Sequence, residues 1–135
     1  MTIIYCEEVP EGRRLSHTAA LFGLDFPMRL EPFVFNVATP LSRDYRGGFW
    51  KFCALSNGGF YRAPDSESIF NVSCQNGFEG SLSGDAFGIA MCLYAYSNLS
   101  FSGDAFAEKC TEHFHLLREY MLDHAEATAI LGAID

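Results

Sequence analysis

A chain of 135 residues makes one domain of ordinary size, able to bury a proper core without disulfide or metal staples. With 49% apolar residues, thirteen Phe and six Tyr, disorder is excluded, and no run approaches the ~18 uninterrupted apolar residues of a spanning helix. The formal charge of −8 is lopsided: residues 1–62 hold seven basic and six acidic side chains, residues 63–135 two and eleven. An acidic surface repels phosphates and anionic lipids and attracts basic protein surfaces, so no direct nucleic-acid or membrane binding is expected.

The opening MTIIYCEEVPEGRR lacks a basic leader followed by an apolar stretch, so it does not read as a secretory signal. Cys6, Cys53, Cys74, Cys92 and Cys110 are an odd number, mostly inside apolar runs. Buried reduced thiols, and hence the cytoplasm, are the expectation.

Ser16 to Leu24 predicts a short helix capped by Ser16 and stopped near Gly23. Leu30, Val34, Val37 and Leu41 recur at helical spacing, with Pro32 suited to the first turn and Pro40 to the end. The alternation of Phe33, Phe35 and Val37 fits a strand as well. Between Tyr45 and Gly88, paired glycines and two Asn-Gly steps punctuate short aromatic runs. Asn-Gly between apolar runs signals a hairpin, because a type I′ turn needs φ > 0 at both central residues. Phe49 to Leu55 is a strand apolar on both faces, hence central; Phe60 to Ala63 returns across Asn57-Gly58, and Pro64 ends it. Ser68 to Cys74 points Phe70, Val72 and Cys74 inward, and Asn76-Gly77 turns it into Phe78 to Leu82. Two helices follow, each announced by Ser-Gly-Asp-Ala-Phe, at Ser83 and again at Ser102. Each serine is the expected N-cap, and the aspartate complements the helix dipole. Gly84 to Tyr96 is apolar all round and should be central; Gly103 to about His124 is amphipathic; the apolar tail ATAILGAI should fold back onto the body. Strands followed by helices make the class α+β: a small antiparallel meander of about four strands packed with helices, one of them buried.

Three strings in this region carry a resemblance. YRGGFW (Tyr45, Gly47, Gly48 and Trp50 within it), LSNGGFY (Asn57, Gly58, Gly59) and NGFEGSLS (Asn76, Gly77), in that order, resemble the ArdB/KlcA antirestriction family. The resemblance runs on through the apolar helix. It implies a protein of plasmids and other mobile elements that inhibits a host type I restriction-modification complex, directly or indirectly. It implies interference at the level of protein, with no cleavage or modification of DNA, no enzyme activity and no cofactor.

The residues themselves offer one candidate contact. On a helical wheel Asp104, Glu108, Glu112, Glu119, Asp123 and Glu126 fall within a stripe roughly 100° wide. If helix persisted to Glu126 the stripe would be about 33 Å long. Duplex DNA of that length carries roughly twenty charges, so six carboxylates are too few for a strong DNA mimic. A contact with a basic protein surface, or a plain solvated helix face, remains. Arg43, Arg46 and Arg62 flank the hairpin as a possible basic patch. A different class of reading, a small thiol-dependent enzyme, would use Cys110 (with His113 at i+3) or Cys53. Cys110 shares its stripe with Phe106, Phe114 and Leu117, which argues for a structural thiol. His113 and His115 point apart on a helix, and no CxxC, HExxH or phosphate-loop string occurs, so no metal or nucleotide is expected.

Overall fold

The computed structural model describes residues 3–42, 45 and 48–135. Among these lie five strands and five α-helices: β1 (Cys6–Glu8), α1 (Arg14–Phe22), α2 (Glu31–Leu41), β2 (Trp50–Leu55), β3 (Phe60–Pro64), β4 (Ile69–Ser73), β5 (Glu79–Ser83), α3 (Gly84–Leu99), α4 (Ala105–Met121) and α5 (Ala127–Ile134). The class is α+β, as the pattern implied. The strands form two antiparallel sheets, however: β1-β2-β3 and the separate ribbon β4-β5. A single meander needs β3 to pair with β4, and the outward edge of β3 is already taken. Arg62 N–H donates to Cys92 Sγ at 3.3 Å, the Cys92 thiol reaches Arg62 C=O at 3.6 Å, and Tyr96 O–H donates to Phe60 C=O at 2.7 Å. Helix α3 thus satisfies the free edge with side chains, and Pro64, which has no N–H, ends the strand. Gly88 makes this approach possible, because a Cβ there would sit 2.3 Å from Arg62 O and 2.4 Å from Ala63 Cα.

Strand β2 is central, as expected, with both faces covered. On one face Phe52 and Phe60 meet Phe22 and Phe26 from the helical N-terminal third. On the other Tyr61 stacks on Tyr120 of α4. Phe49 lies just before the strand and is exposed. The edge strand β1, absent from the sequence reading, is exposed along its length and too short to show a period. Helix α3 is buried almost throughout and is the centre of the molecule. Its N-cap is Ser83, whose hydroxyl accepts from Ala86 N–H. Helix α5 does fold back, against α3 and β5.

The N-terminal helices differ in detail from the pattern. Helix α1 starts two residues before Ser16, whose hydroxyl donates to Arg13 C=O instead of capping. Gly23 ends it at φ 61°, as read. Residues 30–41 are helical, not extended, entered through a π-helical turn at Phe26–Leu30. The stripe buried there is Leu30, Val34 and Ala38; Val37 and Leu41 are only half-buried. Pro40 lies inside the last turn, one residue before the end.

Candidate functional surfaces

The glycine-rich strings build hairpins that are clamped onto helices. Gly58 N–H bonds Leu55 C=O and Leu55 N–H bonds Gly59 C=O; Gly77, Cys74 and Phe78 repeat the arrangement. Only the glycines are left-handed, Gly58 at φ 95° and Gly77 at φ 92°. These are three-residue loops closed by a left-handed glycine, not the type I′ turns expected of Asn-Gly. The reason lies in the asparagines, each of which bridges hairpin and helix. Asn57 accepts from Gly59 N–H and donates to Leu116 C=O of α4 at 2.9 Å. Asn76 accepts from Phe78 N–H and donates to Gly132 C=O of α5, also at 2.9 Å. Gly59 is pressed against the Leu116 side chain. The first string packs too: Trp50 Nε1–H donates to the Tyr45 hydroxyl at 3.2 Å, and Trp50 meets Phe35 and Phe87. Gly48 is left-handed at φ 104°. Arg43, Arg46 and Gly47 lie outside the described residues.

Arg62 is not a surface charge. It is 7% exposed, lies against Phe35 and Phe52, and donates to Glu31 at 2.7 Å. Its Nε has no hydrogen-bond partner among the described residues. Nearby, Arg14, Leu15, Leu24, Phe26 and Phe52 line an apolar recess of about 400 Å³.

The acidic stripe is interrupted. Helix α4 begins at Ala105 and ends at Met121, so Asp123 and Glu126 stand beyond it. Asp104, not Ser102, is the N-cap; its carboxylate accepts from Ala107 N–H and from Arg29 at 2.7 Å. The Arg29 contact first, then Ser102 and the Ala107 N–H, hold the Asp104 carboxyl down at about 2. Glu126 receives Ser83 N–H and the Ser83 hydroxyl, tying the start of α5 to the start of α3. Glu108, Glu112 and Glu119 are exposed along one side of α4. Two of the six acids therefore have structural partners, and three form a solvent-facing row on a rigid helix.

Cys110 and Cys53 are buried, at 0% and 1% exposure. Burial pushes the Cys110 thiol up to about 12 and the neighbouring His113 imidazole down to about 4, so both are neutral at pH 7. His113 packs on Phe22, ring centres 4.7 Å apart. A thiolate–imidazolium pair needs both groups charged, and these surroundings oppose both charges. Among the described residues no three His, Cys, Asp or Glu side chains gather closely enough for a metal ion.

One cluster was missed from the sequence. Asp85, in the first turn of α3, accepts from the Tyr61 hydroxyl at 2.6 Å and lies 3.8 Å from Lys51 Nζ. His124 Nδ1 accepts from Glu126 N–H, so Nε2 carries the proton and donates to Asp85 at 2.9 Å. Cys6 Sγ lies 3.6 Å from the Tyr61 hydroxyl. These residues come from β1, β2, β3, α3 and the α4–α5 turn, and no local spacing joins them. The repeated pentapeptide was a signal of capping only, and its two aspartates take different work.

Fold and surface together define a small α+β protein with a closed aromatic core and an acidic helical side. A family model described as "Antirestriction protein" matches residues 43–135. The chain belongs to the antirestriction protein family. It is 39% identical to "Antirestriction protein KlcA" of Escherichia coli over 137 residues, covering 98% of this chain and 94% of that protein. A second "Antirestriction protein KlcA" of Escherichia coli is 38% identical over 130 residues, covering 94% and 92%. "Uncharacterized protein YafX" of Escherichia coli strain K12 is 38% identical over 133 residues, covering 94% and 85%. A solved structure aligns with TM-score 0.90 and 36% identity over 99% of this chain and 96% of that one. It belongs to work on KlcA and ArdB proteins reporting a novel fold and antirestriction activity against type I DNA restriction systems in vivo but not in vitro. No helix among the described residues is long and apolar enough to cross a membrane.

Proposed function

We propose that this protein relieves type I restriction of incoming DNA in the cell that holds it, by interference with the restriction-modification complex at the level of protein. The observation that carries the reading is likeness over nearly the whole chain, in sequence and in fold, to KlcA proteins. The reading includes a mobile-element origin, because that is where relief of restriction serves incoming DNA. It also places the protein in the cytoplasm, which suits five unpaired cysteines. Activity in vivo but not in vitro, stated for the KlcA and ArdB proteins, supports a route that purified enzyme and inhibitor alone do not reproduce. The contact is assigned to the exposed row Glu108, Glu112 and Glu119, with Asp123 beside it and Asp104 and Glu126 holding the flanking elements.

The test is the plating efficiency of unmodified phage on a type I restricting host, with and without this gene. Relief of restriction is expected; plating unchanged by well-expressed, folded protein refutes the reading. Replacing Glu108, Glu112 and Glu119 together by Gln should leave the fold intact, since exposed carboxylates contribute little to stability. It should relieve restriction only partly, and lysines at the same positions should do worse, because repulsion replaces absent attraction. Full activity in both variants would reduce the row to a solvated helix face.

A further inference from the structure

The cysteines are not equivalent. Cys53 is buried in the central strand, whereas Cys6 is exposed on the three-residue edge strand beside it. Cys6 stands opposite Leu55 and Glu8 opposite Cys53, so the two cysteines share one face of the β1–β2 pair, a single diagonal step apart. Diagonal side chains on one face of an antiparallel pair are neighbours, so the two thiols lie on the same side of the sheet close to one another. Tyr61 and Lys51 stand on the same side: the Tyr61 hydroxyl approaches Cys6 Sγ and gives its own proton to Asp85.

We propose that Cys6 and Cys53 form a peroxide-oxidisable pair, with Cys6 the attacking thiol and Cys53 the resolving one, closing a disulfide between β1 and β2. The Cys6 sulfur takes one oxygen of hydrogen peroxide, the O–O bond breaks, and the other oxygen leaves as water. Cys53 Sγ then attacks the Cys6 sulfenic sulfur; the S–S bond forms, the S–O bond breaks, and a second water carries away the Cys53 proton. Two thiols and one peroxide give one disulfide and two waters.

The division of labour follows from the surroundings. The neighbouring Cys53 thiol, with help from Lys51, lowers the Cys6 thiol against burial and Asp85, while Cys6 and burial push Cys53 up. Cys6 therefore ionises first and is the one reagents can reach. Cys6 does not face Cys53 squarely, so closing the bridge draws β1 along β2. The bonds at stake are Tyr5 N–H to Ser56 Oγ and Ser56 N–H to Tyr5 C=O. Edge position and short length make β1 the element able to move.

The experiment is oxidation of the reduced full-length protein with a small excess of hydrogen peroxide, alkylation of the remaining thiols, intact mass and a peptide map. The expected product is monomeric, lighter by two hydrogens, with the Cys6 and Cys53 peptides joined and Cys74, Cys92 and Cys110 alkylated. In the reduced protein, Cys6 should label at least about tenfold faster than Cys53, Cys92 or Cys110 at neutral pH. Cys6→Ser should leave Cys53 unoxidised, and Cys53→Ala should leave a Cys6 sulfenic acid that a cyclic diketone traps. The wild-type map stands even if a variant misfolds. Cys6 ending as sulfinic acid, a Cys6–Cys6 dimer as the main product, or Cys6 and Cys53 both still free would each overturn the proposal.

Discussion

Replacing Gly88 by Ala is the sharpest test of how α3 seats on the sheet. In an ordinary helix interior this change stabilises by about 1 kcal/mol, because glycine loses more backbone freedom on folding. Here the new Cβ would stand 2.3 Å from Arg62 O and 2.4 Å from Ala63 Cα and Cβ, atoms of a strand paired along its other edge. Ordinary contacts are about 3.5 Å, so helix and strand must part by roughly 1 Å. Forced overpacking costs about 1–3 kcal/mol. The same movement stretches the bond from Tyr96 to Phe60 C=O beyond hydrogen-bonding distance, and an unsatisfied buried carbonyl costs about 1–3 kcal/mol more. Set against the helix gain, the net is about 3 kcal/mol of destabilisation, a melting point lower by roughly 10 °C. Urea and thermal unfolding followed by the fluorescence of buried Trp50, the single tryptophan, report it. Gly12→Ala is the control, since a Cβ there meets nothing within 4 Å. A Gly88→Ala protein as stable as wild type, or more so, would refute the claim that α3 lies directly on the edge of β3.

Three further outcomes are expected. Gly58 holds φ 95°, so Gly58→Val should strain the hairpin by about 1–2 kcal/mol and lower activity only through folding; lost activity with an unchanged melting point would make the turn a contact site. Cys110→Ala should cost about 1–2 kcal/mol through a small cavity and leave restriction relief intact in folded protein; an unchanged melt with abolished relief would revive a thiol mechanism. Burial lowers His113 to about 4 from an unfolded value of 6.5, with Glu112 opposing and Lys109 assisting. The unfolded chain thus binds the proton first, so this contribution is complete above pH 6.5 and declines as pH falls toward 4, by about 3 kcal/mol in all. Urea titrations at stepped pH should show that slope, and His113→Phe should flatten it; an equal slope in the variant would place the acid sensitivity elsewhere.

The sequence by itself determined the α+β class, the strand runs between Trp50 and Ser83, the central helix and the family. Each of these rests on local information. Alternation marks Phe70 and Val72, an all-round apolar face marks α3, and left-handed glycines end the loops at Gly58 and Gly77. Tertiary structure decided the rest. The two Asn-Gly loops took a different turn because Asn57 and Asn76 reach helices 59 and 56 residues away, which no dipeptide preference encodes. Identical pentapeptides diverged because Asp85 meets Tyr61 and His124 while Asp104 caps a helix and meets Arg29. The six-acid stripe shortened because α4 stops at Met121 and Glu126 turns back to Ser83. Arg62 went inside because Glu31 and aromatic faces await it there, and strand β1 formed because Ala54 and Phe52 offered it an open edge. Periodicity reports which face of an element is apolar, but a side chain's partner is set by what the completed fold brings against it.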